Sequence, residues 1–136
     1  MYELFEHTAD LGLRVRAADL PGVFADAGRG LAAMIVDNVD AVRPTASATI
    51  QIAGSDRDYL LFDWLNELLY RFESERWLYV DFDVHIADDG LTAVARGERF
   101  DPPRHQPGHE VKAITYHRLK VEQTAAGWLA ELIVDI

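Results

Sequence analysis

The residues best suited to chemistry are carboxylates at two points far apart in the chain. Asp135 stands beside Ile136, so a side-chain carboxylate and a main-chain α-carboxylate fall next to each other, and Asp10 opens a stretch of alternating apolar and polar residues. If the closing strand pairs beside the strand preceding Leu11, the three acidic groups of Asp10, Asp135 and Ile136 converge. Such a group repels itself until a cation neutralises it, and an all-oxygen donor set suits calcium or magnesium rather than zinc. Acids at strand ends are also commonly just solvated, and spacing alone leaves both readings open.

Other chemistries find less support. His105 and His109 have the spacing of a helical zinc pair, but Pro103, Pro107 and Gly108 forbid the helix that would align them, and no zincin glutamate accompanies them. Ser47, Ser55 and Ser74 lie outside any nucleophile elbow, and there is neither a P-loop nor a dinucleotide fingerprint. Glu98 and Asp101, with Lys112 and His117, make an acid–base combination of a kind that arises often by chance. The absence of cysteine excludes disulfides, thiolate-bound zinc, iron–sulfur clusters and a cysteine nucleophile. A self-contained active site is not expected.

The elements that would position these groups follow from periodicity. Leu11, Leu13 and Val15 alternate with Gly12, Arg14 and Arg16, the pattern of a half-buried strand, and a weaker strand over 2–7 is joined to it by a polar turn around Thr8-Ala9-Asp10. Asp19 and Pro21 open a helix whose apolar stripe runs from Leu20 to Ile35 and which should end near Asp37-Asn38. A short strand over 48–52 precedes a second helix over 58–75, where Leu61, Leu65, Leu68 and Phe72 form a stripe widened by Phe62, Trp64 and Leu69. Residues 78–86 and 91–96 read as an antiparallel pair turning at Asp88-Asp89-Gly90. The prolines of 97–110 predict a long loop, either functional or mobile. Residues 111–122 read as one strand with a phase slip between Tyr116 and Leu119, and the nearly all-apolar 128–134 as a strand covered on both faces.

These elements do not alternate as βαβ units. They predict an α+β fold, with two main helices packed on a largely antiparallel sheet in a single domain spanning 1–136. The 136 residues are 49% hydrophobic and 26% charged, the composition of an ordinary globular protein. Acids rather than bases near the first residue, and no apolar run long enough to span a bilayer, point to the cytoplasm.

The net charge of −10 argues against tight sequence-independent binding to nucleic acid. It is unevenly spread, since residues 96–120 hold six bases against three acids while the remainder is strongly acidic. That segment is either a solvated loop or a docking surface for an anionic or acidic partner.

Four blocks, in order, resemble the archease family. They are His7-Thr8-Ala9-Asp10-Leu11-Gly12-Leu13, the helical Asp63-Trp64-Leu65-Asn66-Glu67-Leu68-Leu69-Tyr70, the stretch holding Gly97-Glu98, Arg104-His105 and Val111-Lys112-Ala113-Ile114-Thr115-Tyr116-His117, and the close on Val134-Asp135-Ile136. The resemblance implies an accessory protein, not itself an enzyme, that activates an RtcB-type RNA ligase. Such a factor promotes the ligase's guanylylation and multiple turnover in tRNA splicing and RNA repair, so RNA would be met through the ligase. It also implies a divalent metal, calcium, held by Asp10, Asp135 and Ile136. Arg104, His105 and Lys112 then become candidates for contact with the partner. The alternatives are a chaperone-like modulator of a tRNA methyltransferase and a small metal-dependent hydrolase.

Overall fold

Alternation in the first 17 residues builds a hairpin that a distant strand completes. The computed structural model describes residues 1–136. Strands β1 (Tyr2–His7) and β2 (Asp10–Ala17) pair antiparallel from Tyr2 opposite Val15 to His7 opposite Asp10. The link is Thr8-Ala9, and Thr8 takes the left-handed φ of 51° that a tight hairpin turn requires. The Phe5 ring lies flat over Gly12, where a Cβ would stand 2.2 Å from it, so only glycine lets the ring cover the strand there.

The last strand in the chain, β8 (Gly127–Asp135), lies against the other edge of β2 and runs from Leu11 opposite Val134 to Ala17 opposite Trp128. Its far edge is shared by two short strands in line, β6 (Ala113–Ile114) and β7 (Lys120–Thr124). β8 is therefore interior to the five-stranded sheet, which is why its sequence is nearly all apolar. Residues 111–122, expected as one strand with a slip, instead form two strands. The intervening 115–119 leave the sheet because the Thr115 side chain donates to the Ile133 carbonyl oxygen at 2.6 Å and Arg118 takes a left-handed φ of 58°.

A second sheet has three antiparallel strands in the order β3 (Ala46–Ala53), β5 (Gly90–Arg99), β4 (Trp77–Ala87). The predicted β4–β5 hairpin forms, with a bulge at Val80 between the paired residues Tyr79 and Asp81. At that bulge the backbones approach so closely that a Cβ on Gly97 would fall 1.7 Å from the Leu78 carbonyl oxygen. Pairing thus continues through Gly97 to Arg99, correcting the expectation of a loop from residue 97. The rest of that stretch contains a single helical turn, α3 (Pro102–His105), with both prolines in its first two positions where their missing N–H groups cost nothing.

Helix α1 (Leu20–Ile35) starts where predicted, the Asp19 side chain accepting from the Gly22 N–H at 2.8 Å, and ends two residues early at Ile35. Helix α2 (Arg57–Glu75) begins on Asp56, whose carboxylate accepts from the N–H groups of Asp58 and Tyr59. Its buried face, including Leu61, Trp64, Leu65 and Leu68, meets α1 and both sheets. Trp64 is fully buried and satisfies its indole N–H on the Phe24 carbonyl oxygen at 2.9 Å, tying the helices together. The architecture is α+β as expected. No helix is long and apolar enough to cross a membrane.

Candidate functional site

The pairing of β2 with β8 brings the two ends of the sequence together. Asp10 and Asp135 sit one step beyond the paired residues Leu11 and Val134, at the same end of neighbouring strands. Side chains alternate across a sheet, so His7, Asp10 and Asp135 project from the face that carries Phe5, Gly12 and Ile133. Asp10 and Asp135 are half-buried, and neither takes part in an ion pair with a basic side chain. Ile136 follows directly and is also half-buried.

The surroundings hold this end in shape. The excursion 115–119 is fastened to β8 by the Thr115 hydroxyl and by the Ile133 N–H, which donates to the His117 carbonyl oxygen at 3.0 Å. That places the His117 ring 5.2 Å from the His7 ring, centroid to centroid. His7 Nδ1 is buried without a hydrogen-bond partner. Lys112 is anchored by its main chain, its N–H donating to the Asp135 carbonyl oxygen at 2.8 Å, while its side chain is exposed.

Farther along the same face the charges are already matched. Glu131 is 7% exposed and receives two hydrogen bonds from Arg14, at 2.9 and 2.6 Å, while Arg14 also reaches Glu3 and lies over the Phe5 ring. Hydrogen bonds from Arg14 and Arg16 hold the Glu3 carboxyl below its usual range, and Glu131 followed by Glu3 raises Arg14. The two aspartates at the sheet end lack such compensation.

No three His, Cys, Asp or Glu side chains are grouped to hold a metal ion. A cation at this end would need main-chain oxygen as well as Asp10 and Asp135, and the carboxylate of Ile136 is the neighbouring source. The donor chemistry fits a hard divalent cation, being two side-chain carboxylates and a main-chain carboxylate with no thiolate. The unpartnered His7 nitrogen is a further polar atom lacking a partner at the same end of the hairpin.

Arg104 and His105 lie elsewhere, in a bracing network around Glu98. Arg104 grips Glu98 with two parallel hydrogen bonds, at 2.6 and 2.8 Å, and its Nη1 also donates to the Ala41 carbonyl oxygen. His105 is completely buried; its Nδ1 accepts from the Asp101 N–H, so the proton sits on Nε2 and is donated to Glu98 at 2.9 Å. The Arg104 hydrogen bonds are the main reason that the Glu98 carboxyl is lowered to about 2, with the Arg43 N–H and His105 assisting against the opposing effect of burial. Glu98 thus pairs with Arg104 and His105, not with the Lys112 or His117 considered from sequence. The network closes α3 onto the end of α1, where Asn38 donates to the His105 carbonyl oxygen and Asp37 to that of Gln106. Of the three residues considered for partner contact, Lys112 is exposed, Arg104 is partly exposed but engaged with Glu98, and His105 is buried.

Lys112 also lines a cleft of about 600 Å³ between α2 and the stretch after α3, with Leu69, Phe72, Phe100 and Val111 in its walls and His109 at its edge. Sequence reasoning missed a second feature beside the site, an aromatic group of Tyr59, Phe62 and Tyr116. Its one member with a sequence signal is Phe62, which widens the α2 stripe and does pack against the core while its ring also stacks on Tyr116.

Comparison with known proteins accords with this arrangement. The chain matches the Archease protein family over residues 2–136. It is similar to the protein archease of Methanopyrus kandleri, 41% identical with 99% of each chain covered, and to that of Pyrococcus furiosus, 41% identical over 99% of this chain and 98% of the other. The solution structure of protein 1598 from Methanobacterium thermoautotrophicum has the same fold, with a TM-score of 0.85 and 34% identity, covering 99% of this chain and 98% of that one. Match over the full length in both sequence and fold, across the strands that carry Asp10 and Asp135, means that the chain belongs to the archease family.

Proposed function

We propose that this chain is an accessory factor that works in the cytoplasm with an RtcB-type RNA ligase, promoting its guanylylation and multiple turnover in tRNA splicing and RNA repair. Membership of the family supports the reading, and the observation that carries it is the placement of Asp10 and Asp135 on adjacent strands with exposed Lys112 anchored to Asp135. Asp10, Asp135 and the Ile136 carboxylate would hold a divalent cation, calcium being suited to an all-oxygen set of carboxylates completed by water. When bound, the cation supplies positive charge against phosphate oxygens.

The chain's own residues have distinct tasks in this scheme. The β2–β8 register fixes the separation of the aspartates, and the main-chain bond from Lys112 ties its backbone to that of Asp135 while leaving an exposed cationic head free to meet a phosphate of the partner's nucleotide. The Glu98–Arg104–His105 network holds the preceding loop so that this placement does not drift. The test is RNA ligation under multiple-turnover conditions with the cognate ligase, adding the unaltered chain or Asp135→Ala. Turnover should rise with the unaltered chain alone; no response to either would defeat the proposal.

A further inference from the structure

The outward face of α2 is unusual for its exposed aromatic residues. Of the four most exposed large hydrophobic side chains in the protein, three lie on or against this face: Tyr59 at 56%, Tyr70 at 64% and Tyr116 at 60% exposure. Single exposed apolar residues are ordinary, but a concentration on one face marks an interaction site. Tyr59, Phe62 and Tyr70 recur at i, i+3 and i+11 and so share one side of the helix.

Tyr116 reaches the same side from the 115–119 excursion. It stacks on Phe62 with ring centroids 4.0 Å apart and planes 14° apart, and meets Tyr59 edge-on at 5.6 Å. The ring is held by its neighbours yet remains mostly open to solvent, a pre-ordered aromatic surface that loses little entropy when covered.

Along the outward side of α2 the unpaired charge is acidic, while Arg118 on the excursion is exposed and pairs with no acid. Arg71 is occupied by Glu67 at 2.7 Å, and Arg57 lies over the Trp128 ring. Asp63, beside Phe62, is exposed, and it pairs with no base. The Asp63 carboxylate next to open tyrosine rings matches an arginine-bearing protein surface, since guanidinium stacks on aromatic faces and binds carboxylates through paired N–H groups. The same acid disfavours a nucleic-acid backbone.

Resting on the function proposed above, we propose that the ridge of Tyr59, Phe62, Asp63, Tyr70 and Tyr116 is the docking surface for an arginine-bearing strip of the ligase. The excursion that carries Tyr116 is bonded to β8 two residues before Asp135, so docking here registers the carboxylate end of the sheet against the partner's reacting nucleotide.

Calorimetric titration of the full chain into the purified cognate ligase, with ligation turnover measured in parallel, tests this. Tyr116→Ala and Asp63→Lys should each weaken binding by about tenfold or more, Tyr116→Phe should bind as the unaltered chain does, and the affinity should fall with added salt. All these positions are exposed, so the variants should melt with the unaltered protein. Asp135→Ala should still bind while failing to activate, which separates docking from the carboxylate site. Unchanged binding by both Tyr116→Ala and Asp63→Lys, with turnover still stimulated by the unaltered chain, would overturn the docking surface and leave the accessory role standing. If the unaltered chain neither binds nor stimulates the ligase, the accessory role itself falls. Loss of self-association or of RNA binding in Tyr116→Ala, with ligase binding intact, would also overturn the proposal by assigning the ridge to another occupant.

Discussion

The main-chain N–H of Lys112 donates to the carbonyl oxygen of Asp135 at 2.8 Å, which ties the two backbones together without using either side chain. Function and stability are therefore separable at position 112. Lys112→Ala keeps the bond and should leave the melting temperature unchanged within about 2 °C, as for an exposed substitution. Ligase turnover stimulated by the variant should drop by about tenfold or more. Lys112→Pro, which removes the N–H, should destabilise the fold by about 1 to 3 kcal/mol in urea unfolding.

Calcium should raise thermal stability through Asp10 and Asp135. A ligand at a hundredfold excess over its dissociation constant adds about 2.7 kcal/mol. Melting with calcium should thus lie several degrees above melting with a chelator. In Asp10→Asn and Asp135→Asn most of that difference should vanish while the apo proteins remain folded. A calcium-dependent shift of equal size in all three proteins would place the cation elsewhere.

Acid should loosen the α3 network through Glu98. The Glu98 carboxyl is lowered from 4.5 to about 2 chiefly by Arg104, so its contribution is fully present above about 4.5 and is lost as the pH falls toward about 2. Glu98→Gln should lower stability near neutrality by about 2 to 3 kcal/mol, because Arg104 then loses its closest charged partner and keeps only Asp101, and should flatten this part of the acid dependence. Urea unfolding of both proteins between pH 2.5 and 7 is the measurement.

Gly97→Ala should be among the most disruptive single-methyl changes, since its Cβ would meet the main-chain Leu78 carbonyl oxygen at the β4 bulge. A loss of about 3 kcal/mol or more is expected, because backbone cannot move aside as a side-chain tip can. Melting temperature reports it directly.

What could be foreseen from sequence was set by local periodicity. The strand at Leu11 and the apolar β8 were visible because alternation and its absence depend on near neighbours; which strand β8 pairs with was not, since the expected partner was the strand before Leu11 and the actual one is the strand that contains it. Helix α2 was bounded within one residue by its stripe and start. The departure of 115–119 from the sheet was reduced to a phase slip, because it depends on a Thr115 hydroxyl finding a carbonyl on β8. Glu98 was grouped with the wrong bases for a similar reason: its partners are chosen by a bulge at Val80 and one helical turn at 102–105, neither of which leaves a periodic trace. Phe62 packs against the core as its place beside the stripe implies, but its second contact, with Tyr116, depends on the excursion and leaves no periodic trace.

The interior position of β8 also sets a timetable. About 110 residues separate the end of β2 from the start of its partner, so at ordinary ribosomal speeds the hairpin at the start of the chain waits on the order of 10 s before its open edge is covered. Throughout that interval the nascent chain offers an unpaired strand to its neighbours. The two aspartates meet only when synthesis of the last strand is done, which makes their meeting a late event in the protein's biogenesis.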